Sequence, residues 1–173
     1  MSELKISGYQ AARVDARRAM ALRPLVEHFN AEYCAALDGG DIERWPEFFT
    51  EDCVYRITAR ENADLNLPVG LVYAEGRPML HDRAVAISRT QMFAPRTMLH
   101  VLSNARVVDG SDDTIVAQCN FVLLQTLVEG PTTLHLAGTY YDRFQRDGDE
   151  LLLQERQVVY ESSVIANDLV YPV

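Results

Sequence analysis

The sequence predicts an α+β fold: about three N-terminal helices packed on a strongly curved, mostly antiparallel sheet of about six strands, shaped as a cone. Three observations carry that expectation. Residues 38–57, DGGDIERWPEFFTEDCVYRI, read as helix end, turn, short amphipathic helix, turn and strand. From residue 98 onward the period changes, and long segments rich in Val, Leu, Ile, Thr, Tyr and Phe replace the helical spacing. Those segments are separated by DGSDD, EGPTT and RDGDE, and the Asp-Gly dipeptides are ones that tight hairpins favour, so the strands should pair antiparallel in chain order. Helices first and a meander after is the α+β order. Long twisted strands curl, leaving a pocket between the helices and the concave face.

Residues 1–16 are polar with scattered apolar positions and read as an N-terminal arm whose order depends on docking; residues 17–173 read as a single cone-shaped domain. A long helix should run over 16–37, with Leu22, Leu25, Val26, Phe29, Tyr33 and Leu37 at threes and fours. Pro24, favoured in a first turn, would allow the helix proper to begin there. Gly39 and Gly40 supply the φ > 0 freedom that closes it, and Asp41 stands as the next N-cap. Ile42, Trp45, Phe48 and Phe49 share one face of the short helix. Asp52 ends that element, and Val54, Tyr55, Arg56 and Ile57 begin a strand through Thr58. Residues 59–67 read as a loop before Pro68, 69–74 as a strand, and 77–92 as a helix with Pro78 in its first turn. Residues 98–108, 114–127, 134–144 and 151–162 complete the sheet.

Composition narrows the function classes. A chain of 173 residues, 48% hydrophobic and 24% charged, suffices for one well-buried core. Its 25 acidic against 16 basic residues give a net charge of -9, which disfavours nucleic acid as a partner. No run approaches the roughly 20 apolar residues that span a bilayer, and the N-terminus lacks a secretory segment, so a cytoplasmic protein with no membrane partner is expected. Cys34, Cys53 and Cys119, odd in number and widely spaced, suit reduced, buried thiols.

Four residues form a candidate acid/base set at the mouth of the cone: Asp38, Tyr55, His81 and His100. A neutral imidazole beside a carboxylate shuttles protons near neutrality, which would suit a dehydratase or isomerase. The competing reading is that a histidine on an alternating strand is a hydrogen-bonded structural residue. His28 falls on a solvent-facing helical position and His135 between two leucines, neither with a chemical neighbour. An iron–sulfur cluster held by two Cys and two His needs close pairs that the sequence lacks, and His81 and Asp82 point apart on a helix. Phosphate loops and nucleophile elbows are absent too. The expectation is therefore no catalytic, cofactor-binding or metal-ligating residue in this chain. Arg56, Arg83, Arg96, Arg106, Arg143, Arg156 and Glu155 lie within apolar segments and read either as interface pairs or as solvated outer-face charges. The tail, with Val164, Ile165, Leu169, Val170, Tyr171 and Val173, is too apolar for water and should dock on a neighbour or on its own core.

Five runs, WPEFFTEDCVYRI at 45–57, MLHDRAVAI at 79–87, RTMLHVLSNARV at 96–107, GTYYDRF at 138–144 and LLLQERQVVYES at 151–162, together resemble the small (beta) subunit of bacterial aromatic-ring-hydroxylating Rieske oxygenases. The resemblance covers about residues 25–173. The first run also occurs across the wider cone-shaped superfamily of nuclear transport factor 2, scytalone dehydratase and ketosteroid isomerase. The resemblance implies a cystatin-like, NTF2-like cone and self-association as a trimer within an α3β3 hetero-hexamer with a large alpha subunit. It implies no cofactor in this chain, the Rieske [2Fe-2S] cluster and mononuclear iron both lying in the alpha subunit. The role implied is structural, in a complex that dihydroxylates or monohydroxylates an aromatic ring with O2 and electrons relayed from NAD(P)H by a reductase, often with a ferredoxin. ENADLNLP at 61–68 and NDLVYPV at 167–173 resemble the branch acting on aromatic carboxylates such as salicylate or terephthalate. The alternative is a stand-alone dehydratase or isomerase of the same fold using Asp38, His81 and His100. A small-molecule binding protein using the same pocket is a third reading, with no sequence feature of its own.

Overall fold

The computed structural model describes residues 4–90, 94–165 and 171–173. Helix α1 (Ala16–Asp38) starts where Asp15 accepts a hydrogen bond from the Arg18 N–H at 2.8 Å. It therefore does not begin at Pro24. Proline gives up one backbone bond, but the buried stripe of Leu22, Val26, Phe29, Tyr33 and Leu37 carries the helix across it. The helix closes in a Schellman turn: Gly40 at φ +79 donates to the Leu37 carbonyl at 3.0 Å, and Asp41 donates to Ala36 at 2.9 Å. Gly39 stays right-handed at φ -74, so one glycine supplies the reversal, and the Asp41 side chain makes no capping bond.

The short helix that follows is 3-10 rather than α, over Ile42–Phe48. Residues three apart eclipse in that geometry, which aligns Ile42, Trp45 and Phe48 over the core. Phe49 already opens β1 (Phe49–Ala59), five residues before the expected start at Val54. A register shift between Phe49 and Val54 lets the exposed Glu51 and Asp52 ride through the strand instead of ending it. Helix α2 (Arg60–Asp64) replaces part of the expected loop, with Arg60 bonded to Glu161 at 2.8 Å. Then come β2 (Val72–Glu75), α3 (Arg77–Thr90), β3 (Arg96–Gly110), β4 (Thr114–Leu127), β5 (Thr132–Asp147) and β6 (Glu150–Tyr160). Met92, placed in the third helix by the sequence, lies outside the described residues.

The six strands form one sheet in the order β2-β1-β6-β5-β4-β3. Strands β3 to β6 meander antiparallel in chain order, as the Asp-Gly turns implied, while β1 joins β6 in parallel and β2 antiparallel. Strands β5 and β6 approach so closely that a Cβ at Gly138 would fall 2.1 Å from the Val159 carbonyl oxygen. Helix α1 packs mainly on β3, and α3 on the 3-10 helix.

The core is aromatic where helices and sheet meet. Trp45 meets Tyr55 edge-on at 5.0 Å and Phe49 at 5.7 Å, and its Nε1 donates to the Tyr33 hydroxyl at 2.9 Å. Both tyrosine hydroxyls donate to the Val173 carbonyl at 3.2 Å, and the Val173 N–H donates to Tyr55 at 2.9 Å. The tail thus docks on its own core through Val173, with Ile165 and Tyr171 packed alongside, while Val164 is exposed and Leu169 and Val170 lie outside the described residues. The arm also docks on its own chain: Leu4 and Ile6 are buried with Ala63, Tyr141 and Val159, and the Arg13 N–H donates to Val108 at 2.7 Å. Of the arginines read as interface candidates, Arg56 bonds Gln157 at 2.7 Å, Arg106 bonds Gln118 at 3.1 Å and the Gln10 carbonyl, and Arg156 is wholly internal.

Candidate functional site

Two polar features stand where helix α1 faces the sheet. One is a buried ion pair in the core. Arg156 on β6 is fully buried and bonds Asp142 on β5 through Nε at 2.8 Å and Nη2 at 2.9 Å, with Asn30 of α1 accepting a third bond at 2.6 Å. Its guanidinium lies between the rings of Tyr33 and Tyr140, each 4.3 Å from its centroid. Burial works against the Arg156 charge, yet Asp142 and the two tyrosines hold its pKa well above the ordinary value. Burial holds the Asp142 carboxyl above its ordinary value, and the Arg156 guanidinium offsets part of that rise. Burial likewise pushes the Tyr33 and Tyr140 hydroxyls far up, so neither supplies a proton-accepting phenolate.

The second feature is a cleft of about 510 Å³ between α1 and β3, lined by Glu27, Asn30, Cys34, Asp38, His100 and Leu102 among others. Asp38 is the last residue of α1. Its carboxylate lies 2.6 Å from His100 Nδ1 and accepts from the His100 backbone N–H at 3.0 Å. The pair fastens the helix end to the edge strand β3 and occupies a backbone donor that an edge would otherwise expose. The His100 side chain is 1% exposed and that of Asp38 20%.

The structure brings together only two of the four residues grouped by sequence. His81 lies on the outside of α3, 65% exposed, 3.9 Å from the still more exposed Asp82, because the buried stripe of that helix is Leu80, Ala84 and Ile87. Tyr55 is fully buried against Trp45 and Val173, with its hydroxyl pushed up to about 12, first by burial. Neither joins Asp38 and His100. Asn30, Arg156 and Asp142 were missed as a group. A signal existed, since folding β5 and β6 about the Asp147–Gly148 turn sets Asp142 opposite Arg156.

Among the described residues the donors present do not fit an iron centre. Among the described residues no group of three His, Cys, Asp or Glu stands close enough to hold a metal ion. Burial pushes Cys34 up to about 12 and Cys53 and Cys119 up to about 11, so all three are protonated thiols rather than thiolate ligands or nucleophiles.

Comparison with known proteins supplies what the geometry does not. Residues 33–167 match the family described as the ring hydroxylating beta subunit. The chain is 38% identical over 141 residues to the small subunit of anthranilate 1,2-dioxygenase from Burkholderia cepacia, spanning 82% of this chain and 88% of the relative. It is 34% identical over 136 residues to the beta 2 subunit of the terminal oxygenase component of terephthalate 1,2-dioxygenase from a Comamonas species, spanning 79% of this chain and 88% of that one. Among solved structures, a beta subunit assigned to an aromatic-ring-hydroxylating dioxygenase of Novosphingobium aromaticivorans superposes with a TM-score of 0.81 at 32% identity, covering 89% of this chain and 98% of that chain. The NTF2-like, cystatin-like architecture is shared, at the level of fold, with further solved structures.

Proposed function

Because the chain belongs to the family of ring-hydroxylating beta subunits, we propose that it is the non-catalytic assembly subunit of an aromatic-ring-hydroxylating oxygenase whose iron centres sit in a large alpha subunit. One observation carries the non-catalytic part. The acid/base set that an enzyme of this fold would need does not assemble: only Asp38 and His100 meet, while Tyr55 is buried against Trp45 and Val173 and His81 lies on the outside of α3. In this reading the beta chains associate as a trimer against three alpha chains. The Rieske [2Fe-2S] cluster and mononuclear iron act in the alpha subunit on electrons derived from NAD(P)H. Residues 17–173 act as one folding unit with 1–16 as its docked arm, and the complex works in the cytoplasm. The relatives named for anthranilate and terephthalate support a carboxylated aromatic ring as its substrate.

The second reading, a stand-alone dehydratase or isomerase, rests on the Asp38–His100 pair beside its cleft. It lacks the third member once expected, because His81 points into solvent. Assaying the purified chain for dehydration or isomerisation of a cyclic hydroxyketone separates the two. The assembly role gives no turnover above buffer, whereas turnover abolished by His100→Asn would establish the enzyme reading instead.

A further inference from the structure

The outer face of the sheet, turned away from α1, divides into two halves. The N-terminal arm crosses one of them: Leu4 and Ile6 are buried against Tyr141 and Val159, the Tyr9 ring lies 5.3 Å from the Arg106 guanidinium, and the Arg13 N–H donates to Val108. Arg106, Arg143 and Glu155 give this half its charge, Arg106 opposite Gln118 and Arg143 opposite Glu155. The other half has none. Over residues 97–103 of β3, 120–127 of β4 and 132–139 of β5 there is no Asp, Glu, Lys or Arg, in a chain that is 24% charged.

Strand register sets the outward side chains of these stretches in rows. Leu99, Leu124 and Leu134 form one row across the three strands, and Val101, Val122 and Ala137 the next. Thr97, Thr126 and Thr132 flank the pair of rows at one end, and Ser103, Asn120 and Thr139 at the other. Leu99 and Val101 stand on either side of His100, whose ring is turned to Asp38 beneath the sheet, so the alternation points them outward. Leu99 is 54% exposed, Val101 48% and Leu134 62%. An apolar centre inside an uncharged polar rim, on the half of a face whose other half is already covered by the arm, has the composition of a buried interface.

Charge selects the occupant. Copies of a chain with net charge -9 repel one another, and a surface without charges is where they approach at least electrostatic cost. Hydroxyl and amide groups both donate and accept, so the Thr, Ser and Asn rim can satisfy itself when two such rims meet. A strongly charged partner would find no complement there. We propose that the charge-free half of the outer sheet face, centred on Leu99, Val101, Leu124 and Leu134, is the surface through which copies of this chain meet. The assignment rests on the self-association put forward for the assembly role and adds the surface that mediates it.

Sedimentation velocity and native mass spectrometry of the full chain at micromolar concentration test this. The wild-type chain should self-associate, as a trimer in the assembly role. Leu99→Lys with Leu134→Lys puts charge at two exposed positions and takes the net charge from -9 to -7, so general repulsion between copies falls. This variant should nonetheless dissociate, with a dissociation constant raised at least about tenfold, because the lysines would be buried unpaired in the contact. Leu65→Lys with Tyr73→Lys makes the same charge change at positions 70% and 55% exposed near β2, and should stay assembled. A Leu99/Leu134 lysine pair that remains assembled would overturn the assignment of this face while leaving self-association standing, as would equal dissociation of the control pair. A monomeric wild-type chain would overturn self-association as well. Loss of binding to a large oxygenase subunit with self-association intact would give the face to that subunit instead. If circular dichroism shows the lysine pair unfolded, Leu99→Ser with Leu134→Ser decides by the same readout.

Discussion

Replacing Asp142 by Ala removes one half of the ion pair at the centre of the cone. Arg156 then loses the bonds at 2.8 and 2.9 Å and keeps only Asn30 at 2.6 Å, while remaining fully buried and unable to shed its proton. Breaking one side of such a pair costs about 3–5 kcal/mol, chiefly through the uncompensated charge. For a chain of this length each kcal/mol moves Tm by about 2–4 °C, so Asp142→Ala should melt about 6–20 °C lower. The double variant Asp142→Leu with Arg156→Met removes both charges and should recover most of that loss, since apolar replacements of similar volume are often neutral or stabilising. Circular dichroism during heating and urea titration, at fixed chain concentration, reads both. A loss below about 1 kcal/mol for the single variant would mean that water reaches Arg156. The account of Arg156 and Asp142 as a sealed, mutually dependent pair would then fall.

Three further outcomes follow from particular residues. Because burial pushes Cys34, Cys53 and Cys119 up to about 12, 11 and 11, a thiol reagent at mildly alkaline pH should label none of them quickly in the native chain and all three in denaturant; rapid native labelling would contradict their burial. Bonds from Arg89 and Ser88 hold exposed Glu43 down at about 2 from 4.5, so its contribution is present above pH 4.5 and is lost as pH falls through about 2. Glu43→Gln should therefore flatten the Tm profile across that window, less so in high salt, and an unchanged profile would refute the linkage. Gly138→Ala should destabilise by at least about 2 kcal/mol or abolish soluble expression, because the added methyl meets Val159 and Tyr160 backbone at 2.1 and 2.7 Å. A stable, soluble Gly138→Ala chain would show that β5 and β6 can part.

The architecture was legible where local pattern decides it. Alternating strands and Asp-Gly turns sufficed for the meander, and the Gly-Gly stop for the end of α1. What escaped depends on distant partners. The parallel pairing of β1 with β6 joins segments about a hundred residues apart, and the early start of β1 at Phe49 is possible because β1 itself bulges there, its residues 49–54 running beside only 153–155 of β6. The 3-10 form of 42–48 was present in the spacing of Ile42, Trp45 and Phe48, which an α-helical reading treats as one face. At the site, Asp38 and His100 could be named from sequence but not their 2.6 Å contact. The exposure of His81 was readable, since it lies one residue off the apolar stripe through Leu80. Tyr55 shares the inward side of its strand with Cys53 and Ile57, and that alternation marks it as core. Asn30, Asp142 and Arg156 were hidden because hydropathy assigns polar residues to the surface, and only their mutual bonds make burial affordable.

Native mass spectrometry with metal analysis, on this chain expressed alone and with a large oxygenase subunit, tests the central claim most directly. The assembly role gives an iron-free chain when alone and an iron-containing complex of equal numbers of the two subunits when together. An iron-bearing sample of this chain alone, or a chain that stays apart from every large subunit offered while the large subunit assembles and turns over its substrate unaided, would contradict it.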